Sequence, residues 1–302
     1  MLGRADAICA GWVAAESADG ILCDAVGDGW PHVQFHVWMM VDYVDTAQRL
    51  DRLDSGVDAG VVPDAYLAVV AARVASHAFL GGNTQLVYLR QIRFLVEAAG
   101  AVLRKAPSDT HVLDWGCGKG HITYLLRRAG FRVTACDVAA QADDSAFGQA
   151  TPIIAEQQIE VVPLVDNVTL PFADAHFDVV LSMGVLEHVQ DDAASLRELR
   201  RVLKPGGLCL VFFLPYTLSW TQRLAHVRGD RYHDRLYSRA QVASLAAAAH
   251  FRVLRVAHGQ LFPKNSVSFR AASVLEPIDR WLCRYTPLRF LATNLEVVLA
   301  AE

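Results

Sequence analysis

Three glycines at alternate positions, Gly116, Gly118 and Gly120, directly follow a short apolar stretch at residues 110–114. That stretch has the length and boundaries of a buried parallel strand, and residues 121–129 have the pattern of a helix. Glycine lets the backbone turn sharply and approach a ligand where a Cβ atom would collide. The segment therefore predicts a binding turn between a strand and a helix, with the helix N-terminus facing the ligand.

The spacing of the glycines indicates which ligand the turn suits. A dinucleotide-binding turn would have its third glycine at position 121, where this chain has His121. Asp114, two residues before the first glycine, would repel a pyrophosphate and attract a cation. A plain connection between a strand and a helix, without any ligand, is the alternative interpretation.

A second carboxylate ends the next apolar stretch, residues 131–136. Asp137 lies about 20 residues beyond the first glycine, where an acid suits the two hydroxyls of an unphosphorylated ribose. In the alternative interpretation, Asp137 caps the following helix. Asp137 is thus a candidate ribose-binding residue beside the glycine turn.

Further motifs follow in order along the chain. They are Leu-Pro-Phe, Phe-Asp-Val-Val, Leu-Glu-His-Val and Leu-Arg-Arg-Val-Leu-Lys-Pro-Gly-Gly, with strands predicted at 159–164, 177–182 and 208–214. With these motifs, residues 110–215 resemble the class I S-adenosylmethionine-dependent methyltransferases. The resemblance is to the broad type 11 group that includes ubiquinone-pathway and small-molecule O-methyltransferases.

The resemblance implies S-adenosylmethionine as the cofactor and S-adenosylhomocysteine as its product. The implied cofactor-binding residues, all at the ends of predicted strands, are Asp114, Gly116, Cys117, Gly118, Asp137, Val138, Asp166, Asn167, Ser182 and Met183. The glycine turn would hold the amino acid tail, Asp114 its ammonium group and Asp137 the ribose. Val138 would pack on adenine, and Asp166 and Asn167 would hydrogen-bond to it unless they serve only as turn residues. The last two residues of the set would line the sulfonium side, with core packing as the alternative for the methionine.

A hydroxyl acceptor benefits from a general base in addition to alignment with the methyl group. His188 follows the fourth predicted strand, and an imidazole suits proton transfer near neutral pH. A structural hydrogen bond is the alternative role of His188. His233 competes for the catalytic role from the aromatic stretch 215–238, an expected substrate lid, as do His226 and Tyr237.

A metal ion is not expected. In the ubiquinone-pathway enzymes, the resemblance implies a divalent-ion site with an additional Glu three residues before the Glu-His pair. This chain has Gly184 there, which leaves Glu187 and His188 as ligands. The sequence therefore predicts no metal.

The composition agrees with a cytoplasmic enzyme. The formal net charge of −4 argues against a nucleic-acid partner, which requires a basic surface. The six cysteines include no C-x-x-C pair, so neither a disulfide framework nor a zinc knuckle is indicated. The longest apolar run, residues 208–214, is far shorter than the roughly 20 residues of a membrane-spanning helix. We therefore expect no membrane span, and no secretory segment is recognised.

The predicted fold is α/β, a Rossmann-like seven-stranded sheet, parallel except for an antiparallel last strand and flanked by helices. Residues 1–100 are expected to form a helical N-terminal extension over the cleft, with one helix over 64–79. Residues 101–302 would form the methyltransferase core, with a helix at 196–203, the sixth and seventh strands at 251–257 and 294–300, the lid at 215–238 and a helical insertion at 259–290.

The predicted activity is methyl transfer to a hydroxyl of a small, partly hydrophobic molecule from natural-product, quinone or glycolipid metabolism. The alternatives are methylation of nitrogen or carbon, and a catalytically silent binding protein of the same fold. A nicotinamide-dependent oxidoreductase is disfavoured by the glycine spacing. The identity of the acceptor and the oligomeric state, with a homodimer as one option, are left open.

Overall fold

The computed structural model places a seven-stranded sheet within residues 45–302, and a separate two-stranded unit earlier in the chain. The structure describes residues 15–17, 20–22, 45–53, 62–73, 80–138, 152–166, 168–229, 233, 235–262 and 267–302. In the first unit, Met1–Val44, strands β1 (Ala15–Ser17) and β2 (Gly20–Leu22) pair antiparallel. All other described elements belong to the second unit, Asp45–Glu302.

The seven strands have the spatial order β5–β4–β3–β6–β7–β9–β8. Their bounds are β3 (His111–Trp115), β4 (Arg132–Val138), β5 (Val161–Leu164), β6 (Phe177–Met183), β7 (Leu203–Pro215), β8 (Phe251–Gly259) and β9 (Asn294–Ala301). Strands β3 to β7 pair in parallel, and β9 runs antiparallel to both of its neighbours. Every residue of β3 is buried, as in a parallel strand covered on both faces. The predicted fold class is confirmed, with each of the seven predicted strands in place.

Helices precede the sheet and connect its strands. They are α1 (45–53), α2 (Ala65–Ala71), α3 (Gly82–Ala98), α4 (His121–Arg128), α5 (Pro152–Glu156), α6 (Asp192–Val202), α7 (Trp220–Val227), α8 (Arg239–Ala248) and α9 (Phe269–Tyr285). Helix α6 was expected to begin near residue 196 and begins at Asp192. It begins earlier because the Asp191 side chain accepts a hydrogen bond from the backbone N–H of Ala194, at 2.8 Å, and caps the helix.

The predicted N-terminal extension is only partly described. A single helix was expected over 64–79; α2 ends at Ala71, and residues 74–79 lie outside the described part. Helix α3 packs against α4 and α9, so this part of the extension belongs to the same unit as the sheet. A helical extension that covers the cleft stays a prediction for the rest of residues 1–100.

A buried network of ion pairs ties α3 and α9 to the last two strands. Arg90 of α3 donates a hydrogen bond to Glu296 of β9, and its Nε lies 3.6 Å from Glu276 Oε1 of α9. Arg255 of β8 lies 3.8 Å from the same Glu296 carboxylate. All four side chains are buried, so each charge depends on its partners inside the protein.

Two helical segments leave the sheet at the carboxyl ends of strands. Helix α7 follows β7, and a bridge between Tyr216 and Tyr237 closes its segment. Helix α9 and a short 3-10 helix, Pro287–Leu291, lie between β8 and β9. Within the part of the chain that the structure describes, no helix is long and apolar enough to cross a bilayer.

Candidate functional site

The candidate site lies where the chain changes direction across the sheet. From β3 the chain adds β4 and β5 on one side, and β6 and β7 then follow on the other. In an open α/β sheet, ligands bind outside the carboxyl ends of the strands at this point. The carboxyl ends of β3, β4 and β6 carry Trp115, Val138 and Met183, so the predicted site residues converge there.

The glycine turn adopts a backbone conformation that other residues rarely adopt. Gly116, Gly118 and Gly120 have φ of 76°, 47° and 75°, and α4 begins directly after the third glycine. A Cβ on Gly116 would lie 2.4 Å from Val185 Cγ2, whereas a Cβ on Gly118 would meet nothing within 4 Å. Gly116 therefore permits close packing within the protein, and Gly118 faces open space.

The backbone N–H groups of the turn are bonded within the protein. Those of Gly116 and Cys117 both donate to the carbonyl of Cys136, at 2.9 and 3.1 Å. The Gly118 N–H donates to Asp137 Oδ2 at 2.6 Å. Asp137 thus holds the glycine turn against the end of β4. Any contact from these three residues to an ammonium group would use their carbonyl oxygens, which are acceptors.

Asp114 and Asp137 form an acidic pair beside this turn. Asp114 is buried and accepts a hydrogen bond from Thr123 Oγ1 at 2.5 Å. Burial raises the pKa of Asp114 to about 7, against the lowering effect of Thr123, and the charge of Asp137 raises it further. Burial also raises the pKa of Asp137, although the N–H of Gly118 opposes this. The pair suits a positively charged ligand, because a nearby cation would stabilise both ionised carboxylates.

Of the three residues predicted to contact adenine, the structure describes Val138 and Asp166. Val138 is 40% exposed at the end of β4, as an adenine contact would require. Asp166 is exposed, and its Oδ1 accepts the backbone N–H groups of Val168 and Thr169 at 2.8 and 2.6 Å. It therefore shapes the turn after β5, and its adenine contact stays a prediction. Asn167 lies outside the described residues.

Ser182 and Met183 end β6, directly beside the glycine turn. Ser182 pairs in register with Trp115 of β3 and is fully buried. Its hydroxyl has no hydrogen-bond partner among the described residues. Because an unpaired buried hydroxyl is costly, it marks a place where a ligand could complete the bonding. Met183 is only partly buried, which favours the predicted contact over core packing.

Glu187 brings the two predicted catalytic histidines together. Its Oε1 lies 3.8 Å from His188 Nε2 and 4.0 Å from His233 Nδ1. One ligand atom from each of the three residues lies within 4.8 Å of the others, a possible metal-binding arrangement. The sequence-based premise that only Glu187 and His188 could act as ligands is therefore wrong. The absence of a metal stays a prediction.

The three residues differ in burial and charge. Burial raises the pKa of Glu187 to about 7, and its Oε2 has no hydrogen-bond partner among the described residues. Burial lowers the pKa of His188, whose side chain is 35% exposed. Near neutral pH, the cluster therefore pairs a largely neutral imidazole with a carboxyl group that can gain or lose a proton.

The predicted lid contributes one structural residue that the sequence placed among candidate bases. The Tyr237 hydroxyl donates to the carbonyl of Leu186 at 3.2 Å and lies 3.1 Å from Asp192 Oδ2. Its ring is buried in the core, and burial raises the pKa of its hydroxyl. Tyr237 is therefore an anchor that fixes the lid beside the Glu187 segment, rather than a base.

Comparisons with known proteins identify the central segment. The family model described as a methyltransferase domain matches residues 113–211. The chain is 39% identical over 110 residues to a ubiquinone biosynthesis O-methyltransferase of Caulobacter sp. (strain K31), which is 36% of this chain and 42% of that protein. It is 35% identical over 118 residues to a 2-methyl-6-phytyl-1,4-hydroquinone methyltransferase of Synechocystis sp., 39% of this chain and 34% of that protein.

The family match covers the glycine turn, strands β4 to β6 and parts of β3 and β7. Among solved structures, the chain is similar to a SAM-dependent methyltransferase from Archaeoglobus fulgidus, with 18% identity, a TM-score of 0.48, and coverage of 79% of this chain and 100% of that one. The chain spans about two fifths of the length of the curated relatives it matches. The family resemblance drawn from the motifs is thereby confirmed for residues 113–211.

The variants Gly116→Ala and Gly118→Ala should separate the cost of close packing from the cost of the backbone conformation. In both variants the free energy of unfolding should fall by about 1–2 kcal/mol, because the alanine is forced into a left-handed conformation. Gly116→Ala should lose a further ~1–3 kcal/mol because its Cβ overlaps Val185. Urea denaturation measures both values. Equal losses would mean that Val185 moves aside without cost, and that the close approach has no structural importance.

Proposed function

We propose that the protein methylates a hydroxyl of a small, partly hydrophobic molecule. The premise is that residues 113–211 are a methyltransferase domain of the class I S-adenosylmethionine-dependent kind. The observation that carries the proposal is the acidic pair of Asp114 and Asp137 beside the glycine turn. S-adenosylmethionine has a sulfonium and an ammonium cation and a ribose with two hydroxyls. The pair supplies negative charge for the cations and an acceptor for the hydroxyls.

The residues of the site fit this cofactor. Asp137 already accepts the Gly118 N–H, which orients its carboxylate toward the turn and leaves it able to accept ribose hydroxyls. The open space at Gly118 would admit the amino acid tail, and the carbonyls of the turn would accept its ammonium protons. The unpaired hydroxyl of Ser182 would face the same ligand. Each of these contacts is a proposal that rests on the geometry of the protein alone.

The protein's main task in this reaction is positioning. When bound, S-adenosylmethionine supplies a methyl carbon that is already activated by its sulfonium. Transfer to an acceptor oxygen would require the protein to hold that oxygen in line with the methyl carbon, so the contribution of the site would be alignment. The hydroxyl proton would have to go to a base, for which we propose a residue of the segment that follows β6.

His188 is the proposed base. Burial lowers its pKa, so the imidazole is largely neutral near pH 7 and can accept a proton at a ring nitrogen. Glu187 lies 3.8 Å away and would stabilise the imidazolium that forms. Because burial raises the pKa of Glu187 to about 7, the two groups would share protons near neutral pH. His233, 4.0 Å from Glu187 on the other side, is the second candidate.

A phenol or hydroquinone is the acceptor class we propose. The relatives are named for ubiquinone biosynthesis and for a phytyl hydroquinone. The lid exposes Leu218 and Leu224 at 41% and 38%, which would suit an apolar ring or tail. Transfer of labelled methyl from S-adenosylmethionine to a panel of catechols and hydroquinones tests this directly. Product methylated on carbon or nitrogen would contradict the O-methyl assignment.

His188→Ala should lower turnover in that assay by about 10²–10⁴-fold, because a positioned base contributes this much. Affinity for S-adenosylmethionine should change little, since the imidazole acts on the acceptor. His226, also considered for this role, is exposed on α7 and is not part of the Glu187 cluster, so His226→Ala is the matched control and should keep full activity. Full activity in His188→Ala together with loss in His233→Ala would transfer the role to His233.

The same assay tests the expected absence of a metal. Activity should persist after dialysis against EDTA. Loss of activity that a divalent ion restores would instead mean that Glu187, His188 and His233 hold an ion. Two imidazoles and a carboxylate would favour a transition metal over Mg²⁺.

The affinity for S-adenosylhomocysteine should depend on pH through Asp114. Its pKa in the free protein is about 7, so below pH 7 Asp114 is mostly protonated. A ligand with an ammonium group binds the ionised form better, and binding below pH 7 must therefore expel a proton. Affinity should fall by up to about tenfold per pH unit below 7 and level off above it. Calorimetry at several pH values measures this change.

Asp114→Asn should remove most of that pH dependence. Glu187→Gln is the matched control: burial also raises the pKa of Glu187 to about 7, but we place this residue beside the acceptor. The control should keep the wild-type profile. A pH dependence abolished by Glu187→Gln and retained in Asp114→Asn would contradict the assignment of the cation-binding acid.

A further inference from the structure

Helix α9 exposes a continuous apolar stripe. Val274, Ile278, Trp281 and Tyr285 follow one another at intervals of four, three and four residues, so they lie along one face of the helix. Their exposed fractions are 63%, 47%, 56% and 61%. Soluble proteins rarely expose such a contiguous set of large apolar side chains unless it binds something.

The stripe continues beyond the helix. In the 3-10 helix Pro287–Leu291, Leu288 and Phe290 are 44% and 43% exposed. These two residues, together with Val274, Ile278, Trp281 and Tyr285, are called the α9 face from here on. The opposite side of α9 is packed, with Ala272 and Cys283 buried, so the α9 face is a second apolar surface of a helix that already has its core contacts.

Charge is divided unequally between the two sides of α9. Its acids, Glu276 and Asp279, are both buried; Glu276 lies near Arg90, and Asp279 accepts the backbone N–H of Leu261 at 2.8 Å. The arginines stay toward solvent: Arg270 and Arg289 are exposed. The segment therefore presents positive charge with its apolar stripe, although the whole chain carries a formal charge of −4.

The segment that carries the α9 face begins and ends at the same edge of the sheet as the candidate site. It leaves the carboxyl end of β8 at Gly259 and returns into β9 at Asn294. Asn294 pairs with Pro215, the carboxyl end of β7. The lid helix α7 is tied to this segment by a hydrogen bond from Trp220 Nε1 to the carbonyl of Leu261, at 2.8 Å. The segment that carries the α9 face is thus joined to the lid and to the strand ends of the candidate site.

We propose that the α9 face docks the protein onto an anionic lipid bilayer, with α9 lying along the membrane surface. A helix that combines an apolar stripe, aromatic residues and flanking arginines has the composition of an interfacial helix. Trp and Tyr are favoured at the boundary between lipid and water, where their apolar and polar parts are both satisfied. The arginines complement anionic headgroups, and this local charge overcomes the repulsion expected from the net negative chain.

Docking is independent of the proposed reaction, but it would serve that reaction. It places the strand-end edge, which carries both the site and the lid, next to the bilayer. A hydrophobic acceptor dissolved in lipid could then enter without crossing water. The commitment to lipid rests on charge complementarity, because the only acids of α9 face inward.

Sedimentation of the full chain with vesicles tests the proposal. Vesicles of phosphatidylcholine with about one third phosphatidylglycerol should bind the protein at least about tenfold more tightly than phosphatidylcholine alone, and about 0.5 M NaCl should weaken this binding strongly. Trp281→Ser combined with Ile278→Ser should lower binding at least about tenfold. Arg270→Glu combined with Arg289→Glu should remove the preference for the anionic lipid.

Val62→Ser and Val69→Ser are matched controls, because these side chains are 74% and 56% exposed and belong to neither α9 nor the 3-10 helix that follows it. Both should bind vesicles like the unmodified protein, and all variants should keep its circular dichroism spectrum. Equal binding to the two vesicle types, or no binding, would overturn the proposal. It would also be overturned if the α9 variants converted a dimer to a monomer with no change in vesicle binding, since a second copy would then be the occupant.

Discussion

The carboxylate of Asp137 accepts the N–H of Gly118 at 2.6 Å, and the geometry of the candidate site depends on this contact. It joins the end of β4 to the turn after β3, where Gly116, Gly118 and Gly120 have positive φ. The turn then permits Gly116 to approach Val185, which places the segment containing Glu187 and His188 beside the glycine turn. One charge-assisted hydrogen bond would thereby orient the proposed cofactor side and, through Val185, the proposed acceptor side.

The candidate site also concentrates buried acids in a region where water cannot fully screen their negative charge. Burial raises the pKa of Asp114, Asp137 and Glu187 above their usual range. Such acids stabilise the fold least when ionised, so their contribution to stability falls as pH rises from about 4 toward 7. A bound cation would stabilise the ionised carboxylates and so offset this loss of stability. The free protein is thus electrostatically prepared for a positive ligand and less suited to a pyrophosphate.

The features that could be predicted from the sequence are those that local residue patterns determine, above all the strands. Apolar runs bounded by turn residues identified all seven strands, because a buried parallel strand needs only such a run. The start of α6 was missed because its cap, Asp191, lies outside the apolar pattern. The grouping of Glu187 with His233 could not be predicted either. It depends on the Tyr237 anchor across about 50 residues of sequence, a tertiary contact that leaves no periodic trace. The α9 face was not predicted either, although its pattern is periodic. An outward apolar stripe has the same sequence pattern as a core-facing one, and only the structure shows which side of the helix is buried.

The central claim is that the glycine turn and its two acids form a site for a cationic nucleoside and exclude a dinucleotide. Isothermal titration calorimetry of the purified full chain with S-adenosylhomocysteine, S-adenosylmethionine and NAD measures this most directly. The account predicts binding of both sulfur compounds at micromolar concentrations, about −8 kcal/mol, with no heat from NAD. Binding of NAD without either sulfur compound would contradict it.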